Sequence, residues 1–206
     1  MITKPLLTRI LLSSATKWIE QSDMLSELDA RFGDGDHGVT MKKIALCMQA
    51  ALENWRDESI KQFIDDLGTA IMGIGGGSAG PLWGTLICGL ALPLEDDTVE
   101  IDTTLLKNML SSALDEMQSI STAKVGDKTM MDALIPAVEA ARACAGDIPD
   151  ILNAAASAAR AGAENTANFA AKYGRAKNYK EQSIGTPDAG AISLMLFFEG
   201  LASGIH

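Results

Sequence analysis

Residues 28–40 read LDARFGDGDHGVT and interrupt an otherwise helical pattern. Asp29, Asp34 and Asp36 lie within eight residues, and three glycines allow the backbone to turn sharply. Two carboxylates about 4 Å apart repel by ~1 kcal/mol in water and by up to ~4 kcal/mol near a protein surface. Convergence of all three therefore favours bound cations. Oxygen ligands suit Mg²⁺, which usually shares its coordination shell with phosphate, so this stretch predicts a Mg-nucleotide site.

Composition limits the possible classes of protein. The chain has 206 residues, enough for one sizeable core, and no linker divides it, so we expect one domain over residues 1–206. A net charge of −10 argues against a nucleic-acid surface. The three cysteines stand singly, which fits reduced thiols, and the longest apolar runs are too short to cross a bilayer. We therefore expect a soluble, cytoplasmic protein.

Apolar residues recur at spacings of three and four along nearly the whole chain, which predicts helices. Aromatic residues make up 5% of the chain and β-branched alternation is absent, so no sheet is expected. The eight predicted helices are marked by Leu7–Ile19, Met41–Leu52, Ile60–Ile71, a glycine-rich start near 75–81 running to about Leu92, Leu106–Met117, Asp127 as N-cap through Cys144, Ile148–Tyr173, and a last helix opened by Thr186-Pro187 that carries Leu201.

Short loops between alanine-rich helices predict an all-α fold, an eight-helix antiparallel up-and-down bundle or barrel. In such a bundle the loops alternate between the two ends. The loops at 29–38, 73–80, 118–127 and 173–187 all follow odd-numbered helices and are rich in Gly, Asp, Arg or Ser. They should therefore meet at one end, which we expect to be the functional end.

The loop at 73–80 reads GIGGGSAG and runs into a helix. Glycine lets backbone N–H groups approach an anion, and a helix N-terminus adds about half a positive charge, so a phosphate could bind here. The loop is not a Walker A motif, because no Gly-Lys-Ser/Thr follows it. Lys124, Lys128 and Arg175 from neighbouring loops could add positive charge. Asp188 could bind an adenine amino group or a ribose hydroxyl, or cap the last helix.

Five motifs carry a resemblance to a known family. They are DARFGDGDHG at 29–38, GGSAGPLWGT at 76–85, GDKTM at 126–130, YGRA at 173–176 and SIGTPDAGA at 183–191. In this order they resemble the L subunit of dihydroxyacetone kinases, and the match covers essentially the whole chain. The resemblance implies an eight-helix antiparallel barrel that binds ADP or ATP through two Mg²⁺ ions at one end.

The resemblance also implies roles for individual residues. Asp29, Asp34 and Asp36 are the implied metal ligands, and no further catalytic residue is expected on this chain. The implied nucleotide contacts are His37, Gly38, Val39 and Thr40 at the phosphates, Ser78 and Ala79 at the phosphate turn, Ser121 and Met130 near the base and sugar, and Arg175, Asp188, Ala189 and Gly190, which complete the pocket.

Partners follow from the same resemblance. In that family a separate K subunit holds the triose as a hemiaminal on a histidine, and the L subunit presents the terminal phosphate of the nucleotide. Apart from His37 this chain has only His206, which fits such a division. In one branch a phosphohistidine carrier subunit of the DhaM type rephosphorylates bound ADP, and in the other ATP exchanges freely. The branch, the sugar and the presence of a homodimer stay open.

Four sites depart from the usual pattern of the family. Thr40 stands where Asn is common, Ser78-Ala79 reverses the usual Ala-Ser order, Ser121 replaces a Gly, and Ala189 replaces a Pro. The implied metal ligands are all kept. The changes suggest a divergent paralogue whose partner acts on a different short ketose or aldose.

Two other functions are kept as alternatives. One is a nucleotide-binding domain of the fatty-acid-kinase type, and the other is a non-catalytic module that binds nucleotide to regulate a partner. The intact acidic trio argues against the second, while the changes at Thr40, Ala79 and Ala189 keep it open. A calcium loop is disfavoured because, with Asp34 as position one, position twelve is Ala45 rather than Glu.

Overall fold

Helices dominate the computed structural model, which describes residues 1–205. None of the helices in this range is both long enough and apolar enough to cross a membrane. The helices are α1 (Lys4–Glu20), α2 (Ser22–Ala30), α3 (His37–Asn54), α4 (Ile60–Met72), α5 (Ala79–Ala91), α6 (Thr103–Ile120), α7 (Met131–Ala143), α8 (Ile148–Asn165) and α9 (Ala189–Ser203), with short 3-10 stretches at Thr166–Asn168 and Arg175–Ser183.

The helices form a closed ring around one apolar core. α1 packs on α3, each later helix packs against the next along the chain, and α9 packs on both α8 and α1, which closes the ring. Most connections between α3 and α8 are short, so successive helices there run antiparallel. The predicted all-α up-and-down barrel is confirmed, with one helix more than expected among the described residues.

The additional helix is α2. The predicted first helix is interrupted at Gln21, whose φ of −103° and ψ of 10° separate α1 from α2. Both α1 and α2 pack on α3 and α9, so together they fill one position of the ring and the alternation of loops is unchanged. The contact of α2 with α3 requires a glycine, because a Cβ on Gly38 would lie 1.8 Å from the carbonyl oxygen of Ser22.

The predicted start of the sixth helix is wrong, because Asp127 does not cap it. Lys128 adopts a φ of 61°, which lies outside the helical range, and α7 begins only after this turn. The carboxylate of Asp132 holds the turn by accepting the N–H groups of Gly126 and Thr129, at 2.6 and 2.7 Å. Residues 126–129 are therefore a fixed turn and not the first turn of a helix.

The predicted helix over Ile148–Tyr173 is too long, because α8 ends at Asn165. Thr166 is buried and donates its hydroxyl to the carbonyl of Ala163 at 2.5 Å, a local bond that competes with continued helix. Phe169 is already extended, with φ −109° and ψ 146°. Residues 166–188 form a long connection, called the α8–α9 loop below.

A small antiparallel strand pair was not expected from the sequence. β1 (Ile2–Thr3) pairs with β2 (Glu100–Ile101), and Ile2 lies opposite Ile101. Both isoleucines are buried, so the pair fixes the chain before α1 against the connection between α5 and α6. Two residues per strand are too few to produce a recognisable alternation.

The crossing of α1 and α9 generates a testable prediction. A Cβ on Gly200 would lie 2.3 Å from the Cα of Ser14. We expect Gly200→Ala to lower the free energy of unfolding by about 2 kcal/mol or more, because helix backbone cannot move aside cheaply. Gly73→Ala is the control, since the nearest atom to its Cβ would be 3.4 Å away. Urea unfolding measures both variants, and equal stability would contradict the close crossing.

Candidate functional site

A cavity of about 370 Å³ opens at one end of the barrel. Three of the four loops predicted to share an end line it, and the fourth, at 118–127, leads directly into a lining segment. The walls come from residues within 28–37, 76–83, 128–130, 173–176 and 187–190. The unusual loops of the sequence therefore meet at one place.

Four helices begin at this cavity. His37, Ala79 and Ala189 are the first residues of α3, α5 and α9, and Met130 directly precedes α7. No side chain caps α3 or α5, and at α7 the Thr129 hydroxyl accepts the N–H of Met131 at 3.2 Å, whereas α4, α6 and α8, which begin at the opposite end, have side-chain caps. Each helix N-terminus carries about half a positive charge, so uncapped N–H groups at the cavity favour an anion.

Asp29, Asp34 and Asp36 converge at one side of the cavity. One oxygen of each lies within 4.8 Å of the others. Asp29 Oδ2 accepts the N–H of Gly35 at 2.9 Å, and the φ of 75° at Gly35 is one that glycine adopts readily. This turn folds the loop back over the end of α2 and brings the carboxylates together.

Neighbouring charges shift the acidities within the acidic trio. Arg175 forms an ion pair with Asp34, and this contact is the main reason that the pKa of Asp34 is lowered. The pKa of Asp36 is raised, first by burial and then by the negative charge of Asp34. Arg175 thus relieves the repulsion mainly at Asp34. An oxygen-only set with unrelieved negative charge fits Mg²⁺.

The glycine-rich turn precedes α5. Gly76 and Gly77 have φ values of 140° and 63°, which other residues rarely adopt. A Cβ on Gly76 would lie 2.1 Å from the Oγ1 of Thr40, which is buried and supports the turn from behind. The Ser78 side chain makes no capping bond to α5. Its hydroxyl is therefore available at the cavity wall.

The imidazole of His37 is fixed by Ser193. The Ser193 hydroxyl donates to the carbonyl of Gly190 at 2.8 Å, so the 3.2 Å contact with His37 Nε2 has the imidazole as donor. The Ser193 carbonyl accepts the indole N–H of Trp18 at 2.8 Å. Burial lowers the pKa of His37, which favours a neutral ring. His37 is thus a rigid part of the wall.

Asp188 caps α9 and lines the cavity. Its Oδ2 accepts the N–H of Ala191 at 2.8 Å, and its own N–H donates to Thr166 Oγ1 at 2.8 Å. Burial raises the pKa of Asp188 to about 6. Capping was one of the three roles predicted for this residue, and the structure confirms it.

The two lysines predicted to offer charge to a phosphate differ in their placement. Lys128 lines the cavity, but its buried Nζ donates to the carbonyls of Thr166, at 2.7 Å, and Thr186. Lys124 is exposed and lies outside the cavity lining. Of the three predicted cations, only Arg175 presents its charge to the acidic loop.

The cavity brings together most of the residues implied by the resemblance. Gly38 is buried against α2, Val39 is 53% exposed, Thr40 is buried, and Ser121 bonds within its own turn, so these four do not line the cavity. The lining includes the acidic trio together with His37, Ser78, Ala79, Met130, Arg175, Asp188, Ala189 and Gly190.

Sequence reasoning missed the aromatic part of the wall. Phe32, Trp83 and Tyr173 line the cavity. Trp83 packs edge-on against Trp18, with ring centroids 4.6 Å apart, and Tyr173 Oη lies 3.0 Å from Thr122 Oγ1. Each of the three lining residues lies inside a quoted motif, so motif membership was the available signal, while helical periodicity marks Trp83 only as core.

Similar proteins point to one family. A family model described as the DAK2 domain matches residues 31–203. The chain is 32% identical over 185 residues to the PEP-dependent dihydroxyacetone kinase, ADP-binding subunit DhaL, of Escherichia coli, and 88% of each chain is covered. It is 33% identical over 187 residues to the L-erythrulose kinase of Pectobacterium atrosepticum, with 88% of this chain covered. It spans 32% of that relative, about a third of its length.

Solved structures agree with these relatives. The dihydroxyacetone kinase of C. freundii in its native form matches with a TM-score of 0.76 at 28% identity, over 97% of this chain and 34% of that one. The same kinase in complex with AMP-PNP and Mg²⁺ matches with a TM-score of 0.72. Because a family model covers most of the chain and a relative of similar length exceeds 30% identity, the protein belongs to the DAK2 domain family.

Proposed function

We propose that this protein is the nucleotide-binding subunit of a kinase for dihydroxyacetone or a related short sugar. The proposal is carried by the acidic trio, which lines the same cavity as the starts of four helices. The carboxylates can hold cations, and the N–H groups of the helix starts attract an anion. Together these groups suit a Mg-nucleotide. The name of the E. coli relative and the AMP-PNP and Mg²⁺ complex of the C. freundii kinase support this view. We take residues 1–206 as one nucleotide-binding domain.

Asp29, Asp34 and Asp36 would hold two Mg²⁺ ions. When bound there, Mg²⁺ would supply positive charge against the negative charge that develops during phosphoryl transfer. The protein itself contributes orientation. The uncapped N–H groups of α3 and α5 and the hydroxyl of Ser78 would bind the phosphates, and the glycine turn keeps side chains out of their way.

Arg175 and α9 would complete the nucleotide pocket. The side chain of Arg175 is 64% exposed, so its guanidinium can leave Asp34 for a terminal phosphate when cations bind. Met130, Asp188, Ala189 and Gly190 line the cavity and would contact the base and sugar. Gly38, Val39, Thr40 and Ser121 would act from outside the cavity lining.

The sugar would be supplied by a separate K subunit. Within residues 1–205 the cavity holds one imidazole, His37, and its hydrogen bond to Ser193 leaves no free histidine to capture a carbonyl substrate. The erythrulose kinase among the relatives supports a short ketose as substrate. ATP exchange and a DhaM-type phosphocarrier are the two candidate phosphate sources. A homodimer and a cytoplasmic location stay predictions.

Phosphate transfer to a K subunit tests the proposal directly. The protein is mixed with the purified K subunit of a dihydroxyacetone kinase, or with the corresponding domain of an erythrulose kinase, and with labelled ATP. We expect labelled sugar phosphate with at least one partner. If a phosphocarrier is the phosphate source, the same product should form when a labelled phosphocarrier and ADP replace ATP. Binding of ADP without transfer to any partner would favour the regulatory module, and absence of nucleotide binding would also exclude the fatty-acid-kinase type.

The acidic trio gives a mutational prediction. Asp34→Ala or Asp36→Ala should abolish Mg-ADP binding, because two carboxylates cannot replace the full ligand set, while helicity by circular dichroism stays nearly unchanged. Isothermal titration calorimetry measures the binding. Asp57→Ala is the control, since this exposed aspartate lies between α3 and α4, away from the cavity. Full retention of Mg-ADP by either site variant would count against the assignment.

Asp188 gives a prediction of pH dependence. Its pKa is raised from 3.8 to about 6, so the native state binds the proton more tightly than the unfolded state does. Stability from this group is therefore present below pH 3.8 and is lost as the pH rises to about 6. Asp188→Asn keeps an oxygen for the cap and removes the charge.

The Asp188→Asn variant should therefore be more stable than the wild type at pH 7, by about 1 kcal/mol. The full shift would correspond to more, but the carboxylate faces a solvent-filled cavity. Urea unfolding between pH 4.5 and 7.5 measures the difference, which should shrink towards the acidic end. A constant difference across this range would show that Asp188 does not titrate as described.

A further inference from the structure

We propose that Lys128 is a positioning residue of the nucleotide site, because its ammonium group fastens both ends of the α8–α9 loop and thereby sets the position of Arg175. The predicted effect of Lys128 on nucleotide binding rests on the proposed function. Its structural part, the fastening of the loop, stands independently and is tested independently.

Lys128 joins two points that are distant in sequence. Its Nζ donates to the carbonyl of Thr166, where the α8–α9 loop begins, and to that of Thr186, where the loop ends. Beside it, the N–H of Gly185 donates to the carbonyl of Ala167 at 2.7 Å. The N–H of Asp188 donates to Thr166 Oγ1. Residues 166–167 and 185–188 are therefore held together, and this junction is called the neck of the loop below. Lys128 supplies the one charged group that bonds both of its sides.

The turn that carries Lys128 is itself rigid. The φ of 61° at Lys128 is unusual for a residue with a side chain, and the buried carboxylate of Asp132 holds the N–H groups on both sides of it. This backbone conformation aims the side chain at the neck. An unfavourable φ that persists under two strong hydrogen bonds indicates that the direction of the side chain matters.

The neighbouring residue provides a second fastening. Asp127 pairs with Lys172 through Oδ1 and Nζ at 2.6 Å, and its carbonyl accepts the N–H of Lys172 at 3.2 Å. The first third of the loop is thus held by the same turn. Beyond these points the loop meets the acidic loop through Arg175 with Asp34 and through Tyr179 with Phe32, whose ring centroids are 5.2 Å apart.

Burial of a lysine costs free energy, because its ammonium group loses its hydration. Lys128 is 4% exposed and has no ion-pair partner among residues 1–205. Burial lowers its pKa, and the nearest negative charges, Asp188 and Asp132, oppose that shift. An apolar residue of similar length would avoid the desolvation cost but would leave two carbonyls unpaired. The ammonium is therefore explained by the neck that it closes.

Hydrogen exchange tests the fastening without any nucleotide. In Lys128→Met, amides within residues 170–185 should exchange at least ~10-fold faster than in the wild type, while those of α5 and α6 keep their rates. Lys124→Met is the matched control. This exposed lysine lies with Lys128 in the connection between α6 and α7 and makes no side-chain bond among the described residues. Unchanged exchange of the loop in Lys128→Met would overturn the inference.

A double-mutant cycle tests the effect on Arg175. Lys128→Met should weaken Mg-ADP binding at least ~5-fold in the wild-type background and less than ~2-fold in an Arg175→Gln background, because the two residues act through one position. A merely structural role would give equal losses in both backgrounds, and that result would overturn the positioning role. Failure of the wild type to bind Mg-ADP would refute the proposed function and leave the exchange result intact.

A second pair of variants covers the case in which Lys128→Met does not fold. Lys172→Gln removes the exposed partner of Asp127, and Lys177→Gln changes a lysine of the same loop that makes no side-chain bond among residues 1–205. Faster loop exchange in Lys172→Gln alone supports fastening by the 126–129 turn. Equal exchange in the two variants would contradict it.

Discussion

Crowded negative charge at the open end of the barrel is the constraint on which the site depends. Asp29, Asp34 and Asp36 lie close enough to repel, and the same cavity is lined by helix starts with their partial positive charges. The distribution of caps follows this division. Of the helices that begin at the far end, α4, α6 and α8 have side-chain caps, whereas α3 and α5, which begin at the cavity, have none. The N–H groups that are free there would otherwise lower stability, so their retention points to a bound anion.

The same crowding couples binding to stability. In the free protein Arg175 neutralises Asp34, and the N–H of Gly35 supports Asp29, but the pKa of Asp36 stays raised, first by burial and then by the charge of Asp34. A cation that binds only the native arrangement would stabilise it by mass action. The barrel can carry this local cost because its core is continuous and its helices cross closely at positions such as Gly200. The repulsion among the three carboxylates therefore lies where a bound cation would relieve it.

Sequence reasoning predicted the barrel and its functional end because helical periodicity and loop alternation are local signals. It failed where tertiary contacts override local pattern. The alanine-rich stretch predicted a helix to Tyr173, but α8 ends at Asn165, and the next residue, Thr166, accepts the Lys128 ammonium at its carbonyl and the N–H of Asp188 at its hydroxyl. Asp127 is of a residue type that often caps helices, but the bonds to Asp132 and the left-handed backbone conformation of Lys128 impose a turn. The burial of Lys128 could not be foreseen, because its two acceptors are carbonyls remote in sequence.

The departures from the family pattern become interpretable in this structure. Reversal of Ser78 and Ala79 moves the hydroxyl from the first residue of α5 to the residue before it, where it makes no cap bond and borders the cavity. The hydroxyl therefore stays available to a phosphate. Thr40 is buried behind Gly76 and shapes the glycine turn, so a change from Asn alters the support of the turn and not a direct contact. Ala189 begins α9 beside the capping carboxylate of Asp188, a position in which proline and alanine are both compatible with a helix start. The substitutions thus leave the arrangement of carboxylates and helix starts intact.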